Sequence, residues 1–212
     1  MKWPTITEVT ELVPLPQGYR FEHLRREQIL ELIARVEEWY PDIAVGAASC
    51  YLREDFYCDK VFLQGEVEKD ICVLLIKRNG EMAALCSLER ESDALTIYGR
   101  LVIVAPAHRG SKIAVCLMAG AEQLARTMKA EFIYGLATLK IPNIQVAFER
   151  AGYRLLGFVP GYDREVVAPG VVKRVFEAVY AKVLVAEENL LRPDPANLTP
   201  RTKALFDLQF PA

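Results

Sequence analysis

The sequence predicts an α+β, or mixed α/β, fold whose strands belong to one sheet. Three observations carry that expectation. Residues 71–104 read as a meander of three apolar strands, the first two joined at Asn79-Gly80, the dipeptide that tight hairpins prefer. Residues 101–129 run from an apolar strand through a short polar loop into an amphipathic helix. The apolar residues make up 52% of 212 positions, enough to bury one core of domain size.

In chain order, the first dozen residues, with Pro4, Pro14 and Pro16, are expected to be extended. Tyr19 to Leu24 alternates as a short strand. Ile29, Leu30, Ile33, Val36 and Trp39 fall at helical spacing, and Pro41 stops that helix. Asp42 to Glu68 reads as a second short helix plus a long loop. Ile71–Lys77, Met82–Glu91 and Ala94–Val104 are the meander strands, with Ser92-Asp93 as the second turn. Gly110–Lys129 forms a helix with Ile113, Leu117, Met118, Ala121 and Leu124 on one face. Glu131–Ala137 is a strand and Pro142–Ala151 a helix, with Pro142 at a permitted first-turn position. Tyr153–Val159 and Val171–Val183 are the last strands, joined by a loop holding Pro160, Gly161, Pro169 and Gly170. The tail from Glu187 is polar until a short amphipathic piece, Thr202–Phe210. The expected division is a domain over residues 1–185 and a tail over 186–212, docking on the domain or on a partner chain.

Composition excludes several functions. Lys+Arg is 26 and Asp+Glu 28, so no long-range basic field exists to gather nucleic acid or anionic lipid. The cysteines, Cys50, Cys58, Cys72, Cys86 and Cys116, are odd in number and show no C-x-x-C pair, which argues against a disulfide framework or zinc knuckle. With His23 and His108 the only histidines, no metal site is expected. The N-terminus lacks an apolar core and the longest apolar run, Leu101–Ala107, is too short to cross a bilayer. A cytoplasmic protein that touches neither nucleic acid nor membrane is expected.

The chemistry points to residues 101–114. An apolar strand ends at Pro106, and a loop holding Arg109 and Gly110 opens directly into a helix. Such a junction aims unpaired backbone N–H groups and the positive end of a helix dipole at one spot. Arg109 and Lys112 add cationic side chains, and Gly110 permits a close approach. A pyrophosphate suits that arrangement; an ordinary strand–loop–helix with exposed basic residues is the plainer alternative.

Val104-x-Pro106 followed by Arg109-Gly110-Ser111-Lys112-Ile113-Ala114 resembles the acyl-CoA-binding motif of the GNAT superfamily of N-acetyltransferases. That family reads Arg or Gln, two residues, Gly, one residue, then Gly or Ala. Arg109 and Ala114 match, whereas Lys112 stands where the family has glycine. Ala147-Phe148-Glu149-Arg150-Ala151-Gly152-Tyr153 is similar to a second family segment, and Asn143 to the asparagine that precedes it. The element order from Tyr19 to Val183 is also the family's. The resemblance implies a central mixed, mostly antiparallel sheet flanked by helices, and acetyl-CoA as cosubstrate. It further implies that Val102, Ile103 and Val104 offer backbone groups to the pantetheine amides. Arg109, Gly110, Ser111, Lys112, Ile113 and Ala114 would hold the pyrophosphate, and Asn143, Ala147 and Phe148 would line the far side. The implied reaction moves an acetyl group to a primary amine of a small molecule or peptide by direct attack. The alternative is a non-catalytic acyl-CoA-binding or regulatory module, favoured by Lys112 and by Phe148 standing where the family often has an acidic tyrosine.

The base and acid are sought on the meander. With Ser92-Asp93 as a two-residue turn, Glu89 faces Thr96, and alternation puts Ser87, Glu89, Glu91, Thr96, Tyr98 and Arg100 on one face. Leu88, Ile97, Leu101 and Ile103 fill the other. Glu89 is the candidate base, Tyr98 an acid or water-chain member, and Arg100 a substrate carboxylate binder. The plainer reading is a solvated hairpin face with a Glu–Arg pair. His108 reads as solvent-facing, Cys116 as a packed small residue and Tyr134 as core. Tyr51, Phe56, Tyr57 and Phe62 either wall an acceptor pocket or cover the sheet edge. A homodimer through the final hairpin and apolar tail is plausible on the same grounds. The irregular 42–68 segment carries no motif that identifies the amine.

Overall fold

The structure is a computed structural model that describes residues 1–211. In chain order it contains α1 (Ile6–Leu12), β1 (Tyr19–His23), α2 (Ile29–Trp39), α3 (Glu54–Lys60), β2 (Val61–Phe62), β3 (Ile71–Arg78), β4 (Glu81–Glu91), β5 (Thr96–Val104), α4 (Ile113–Thr127), β6 (Phe132–Thr138), α5 (Asn143–Arg150), β7 (Arg154–Ala168), β8 (Val171–Val183) and α6 (Pro200–Gln209). The strands form one sheet in the order β1-β3-β4-β5-β6-β8-β7, with β2 pairing off that path to β3. β5–β6 and β2–β3 are parallel; the other pairs are antiparallel. The architecture is the α+β mixed sheet that the sequence predicts.

Helices cover both sheet faces because the central strands are apolar on both sides. Cys72, Leu74 and Ile76 of β3 point into a core with α1, α4 and α5, where Val9, Leu117, Leu124 and Phe148 are buried. The alternate residues Ile71, Val73 and Leu75 point into a second core with α2 and α3, against Leu32, Val36, Tyr51 and Tyr57. Gly120 lets α4 approach the sheet closely, since a Cβ there would stand 3.2 Å from the Phe21 ring.

Four expectations need correction. The N-terminal segment is not extended throughout: Thr5 accepts from the Glu8 N–H while the Glu8 carboxylate accepts from the Thr5 N–H, and this capping box starts α1. The helix expected from Gly110 begins at Ile113, after a short 3-10 turn at Pro106–His108. The loop expected over 160–170 is mostly strand, because β7 runs through Pro160 and Gly161 as an irregular bulge and turns only at Pro169-Gly170.

The fourth correction concerns the second meander turn. Glu91 pairs with Thr96 rather than facing Ala94, so residues 92–95 form a longer turn with Leu95 at φ 50°. Glu89 therefore faces Tyr98, not Thr96. A bulge then places Leu88 opposite Gly99 but Ser87 opposite Leu101. The extra residue is Arg100, and it reverses the pleat beyond it. Ile97 and Leu88 lie in the α4-side core, whereas Ile103 and Leu101 pack on the α2 side, so the four do not share one face. The Asn79-Gly80 turn is as expected, with both residues at positive φ and Arg78 opposite Glu81.

Candidate active site

The parallel pairing of β5 with β6 runs from Thr96–Phe132 to Gly99–Gly135 and then stops, although both strands continue. Beyond that point the edge of β5 at Arg100–Val104 has no strand partner on the β6 side, and a cavity of about 750 Å³ opens there. One end is walled by the loop before α4 and by α5. The other end is walled by residues 39–51, β7 and β8.

At the first end α4 begins without a side-chain cap. Its first bond runs from the Cys116 N–H to the Lys112 carbonyl, so the N–H groups of Ile113, Ala114 and Val115 lack helical acceptors. These three residues line the cavity. Gly110 and Lys112 both adopt left-handed backbone, at φ 78° and 65°. For a lysine that conformation costs about 1–2 kcal/mol, which explains why glycine suits the position. The Arg109 side chain is committed to the backbone: Nε–H donates to the Val104 carbonyl at 3.2 Å and an Nη–H to the Trp39 carbonyl at 3.1 Å. Arg109 thus fastens the loop to the end of α2. Ser111 caps the turn internally, donating to the His108 carbonyl, and His108 Nδ1 meets the Tyr19 hydroxyl at 2.9 Å.

Val102, Ile103, Val104, Arg109, Gly110, Lys112, Ile113, Ala114, Asn143 and Ala147 all line this cavity, as do Tyr98 and Arg100. Ser111, Glu89 and Phe148 do not. The Phe148 ring lies in the core, stacked on Tyr180 at 5.2 Å, and Gly135 makes room for it, since a Cβ there would be 2.7 Å from its Cζ. Glu89 is hydrogen-bonded to the Arg100 guanidinium. Tyr98 stacks on Tyr134 and its hydroxyl lies 3.5 Å from that of Tyr162. Burial holds the Tyr98 phenol well above its ordinary range, so it stays protonated. Tyr51, read either as an acceptor wall or as an edge cover, is buried and donates to Ser87 Oγ while also lining the cavity. No cysteine lines the cavity among the described residues, and burial pushes the Cys116 thiol up.

The second end holds groups that the sequence reading missed. Asp42, Asp163, Glu165 and Glu177 all line it. Glu177 on β8 sits between Thr138 of β6 and Val159 of β7. It is 8% exposed and has no hydrogen-bond partner among the described residues. Burial first, then the nearby Asp163 and Glu165, pushes its carboxyl from 4.5 up to about 7. Asp163 accepts from the Ala47 N–H at 2.8 Å and from the Arg164 N–H at 2.6 Å, tying β7 to the 44–49 segment. That contact requires Gly46, at φ 91°, where a Cβ would stand 2.4 Å from the Arg164 carbonyl oxygen. The sequence signal for Glu177 is a lone acid inside the apolar run Val175-Phe176-Glu177-Ala178-Val179. Asp163 and Glu165 alternate as strand residues do, inside a segment read as loop.

Comparison with known proteins gives three findings. The family model described as Acetyltransferase (GNAT) family matches residues 30–158, more than half of the chain. No curated relative matches at the sequence level. Solved structures of similar shape include a protein described as a putative phosphinothricin N-acetyltransferase, 16% identical, with TM-score 0.59, covering 79% of this chain and 99% of that one. A spermidine N-acetyltransferase, SpeG of Vibrio cholerae, is 12% identical with TM-score 0.63, over 79% of this chain and 95% of that one. A ribosomal-protein alpha-N-acetyltransferase, RimL, in complex with coenzyme A is 12% identical with TM-score 0.61, over 81% and 97%. At such identities the likeness is one of fold. No helix among the described residues is long and apolar enough to cross a membrane.

Proposed function

The chain belongs to the acetyltransferase (GNAT) family, and from that premise we propose that it transfers an acetyl group from acetyl-CoA to a primary amine of a small molecule or peptide. The carrying observation is the one cavity that joins an uncapped helix start to an unpartnered carboxylate. The amides of Ile113, Ala114 and Val115 and the ammonium of Lys112 would face the pyrophosphate, with Arg109 fixing the loop that presents them. The free edge of β5 at Val102–Val104 offers N–H and C=O groups to the pantetheine amides in the manner of an added strand. Asn143 and Ala147 supply the opposite wall.

The amine nitrogen attacks the thioester carbonyl carbon, a C–N bond forms, and the C–S bond breaks to release the CoA thiolate. Two protons must leave the nitrogen: one before attack, because an alkylammonium of pKa ~10.4 is almost wholly protonated at pH 7, and one as the tetrahedral adduct collapses to the amide, where it can pass to the departing thiolate. Glu89 is held in an ion pair with Arg100 outside the cavity lining, whereas Glu177 lines the cavity unpartnered, so we assign the base to Glu177. A carboxyl that titrates near 7 is matched to that task. Tyr98, still protonated, can donate a hydrogen bond toward the leaving thiolate directly or through water, which the Phe148 ring cannot do. Arg100, expected to bind a substrate carboxylate, is already paired with Glu89, so it is proposed here as a hydrogen-bond donor to an acceptor's polar group instead. Direct attack is favoured because no cysteine lines the cavity among the described residues.

The same proposal places the reaction in residues 1–185, in the cytoplasm, without metal. Docking of the tail on its own domain is favoured by two contacts: Gln209 donates to the Leu156 carbonyl and Arg154 lies 4.3 Å from the Phe210 ring centroid. A homodimer would use the exposed Phe158 and Phe176 of the final hairpin. The test is thiol release from acetyl-CoA with an amine panel. Release with formation of an N-acetyl product supports transfer. Acetyl-CoA binding without turnover by any amine supports a binding module instead.

A further inference from the structure

The second end of the cavity holds more negative charge than one reacting amine can use. Asp42 is matched by the Lys140 ammonium at 2.8 Å. Arg100 is matched by Glu89; Arg164 also lines the cavity, but it is exposed and alternates to the opposite side of β7 from Asp163 and Glu165. Glu165 is 9% exposed; one oxygen accepts from the Thr138 hydroxyl at 3.0 Å. Its other oxygen is buried without a hydrogen bond, 3.9 Å from Lys140 Nζ. Glu177 is the backbone neighbour of the same Thr138 and has no partner of its own among the described residues. Two carboxylates, both about nine-tenths buried, therefore meet at Thr138: Glu165 keeps one oxygen without a hydrogen bond and with only the distant Lys140 as ion pair, Glu177 has neither hydrogen bond nor ion pair among the described residues, and Asp163 stands beside them.

Buried carboxylates lacking partners are costly unless a cation joins them. The reacting nitrogen cannot be that cation throughout, since it must lose its proton before it attacks. Fixed negative charge beside a nitrogen opposes that loss. The surplus suits a second nitrogen that stays charged while the first reacts. Resting on acetyl transfer at this site, we propose that the acceptor is a short aliphatic diamine: Glu177 takes the proton from one nitrogen, and Glu165 with Asp163 holds the other as an ammonium.

The experiment compares 1,4-diaminobutane with butylamine and with 4-aminobutanoate, measuring thiol release from acetyl-CoA by the full chain at pH 8. The expected kcat/KM for the diamine exceeds that for butylamine by at least tenfold, and 4-aminobutanoate is the poorest of the three. Glu165→Gln is expected to shrink the diamine-to-butylamine ratio at least fivefold, whatever it does to either rate alone. Asp163→Asn shrinks the same ratio and guards against a Glu165 variant that fails to fold. Turnover of butylamine or 4-aminobutanoate as efficient as that of the diamine overturns this inference while leaving acetyl transfer standing. Acetyl-CoA binding with no thiol release from any amine removes both.

Discussion

Replacing Glu177 by glutamine tests the site through stability and rate together. The side chain is buried, and its carboxyl titrates near 7 in the fold against 4.5 ordinarily. A group whose pKa is raised on folding opposes folding when ionised. Between pH 4.5 and 7 the native state holds a proton that the unfolded chain has lost, so stability falls as pH rises. At about 1.4 kcal/mol per tenfold change in proton activity, the full penalty at pH 8 is about 3 kcal/mol, and it is absent at pH 4. Glutamine keeps the shape and removes the charge. Glu177→Gln should therefore gain about 3 kcal/mol over the parent at pH 8, on the order of 6–12 °C in Tm for a chain of this size, and little at pH 4. Denaturant unfolding of both proteins at the two pH values measures the difference. The parent's kcat/KM should rise with pH through about 7. The variant should lose that limb and about 10²–10⁴ in rate. An equal stability difference at pH 4 and pH 8 would refute the reasoning on Glu177, as would an unchanged pH–rate profile.

Three further outcomes follow from the same geometry. Arg109→Glu removes the two donors that fix the loop to Val104 and Trp39 and sets a negative charge beside the helix start. Acetyl-CoA affinity measured by calorimetry should fall at least tenfold, and unchanged affinity ends the pyrophosphate assignment. Gly46→Ala forces a Cβ toward the Arg164 carbonyl at a positive φ. It should cost about 2–4 kcal/mol in denaturant unfolding and raise KM for the amine more than for acetyl-CoA. Glu89→Gln breaks the pair with Arg100 at a part-exposed position and should change kcat/KM less than threefold. A loss as large as that of Glu177→Gln, with intact acetyl-CoA binding, would return the base to Glu89.

The parts of the fold legible in the sequence are those where local pattern and burial agree. Asn79-Gly80 marked its hairpin because both residues tolerate positive φ, and the strand–Pro106–Arg109–Gly110–helix junction marked the loop that walls one end of the cavity. The face assignment on β5 failed at one residue. The bulge at Arg100 carries no side-chain signature, yet it reverses the pleat and sends Leu101 and Ile103 to the opposite core. The second end of the cavity went unread for a related reason. Pro160 and Gly161 look like loop residues but form a bulge inside β7, so the strand residues beyond them, Asp163 and Glu165, were not aligned with Glu177. The bulged register of the β7–β8 hairpin, which local pattern does not show, brings those carboxylates onto one wall.

The most direct measurement of the central claim follows free thiol and N-acetylated amine together, in one reaction of the full chain with acetyl-CoA and a primary amine. Equal amounts of the two products, formed well above the rate without amine, are the expected result. Acetyl-CoA bound to the protein, with neither product rising above that background, would contradict it.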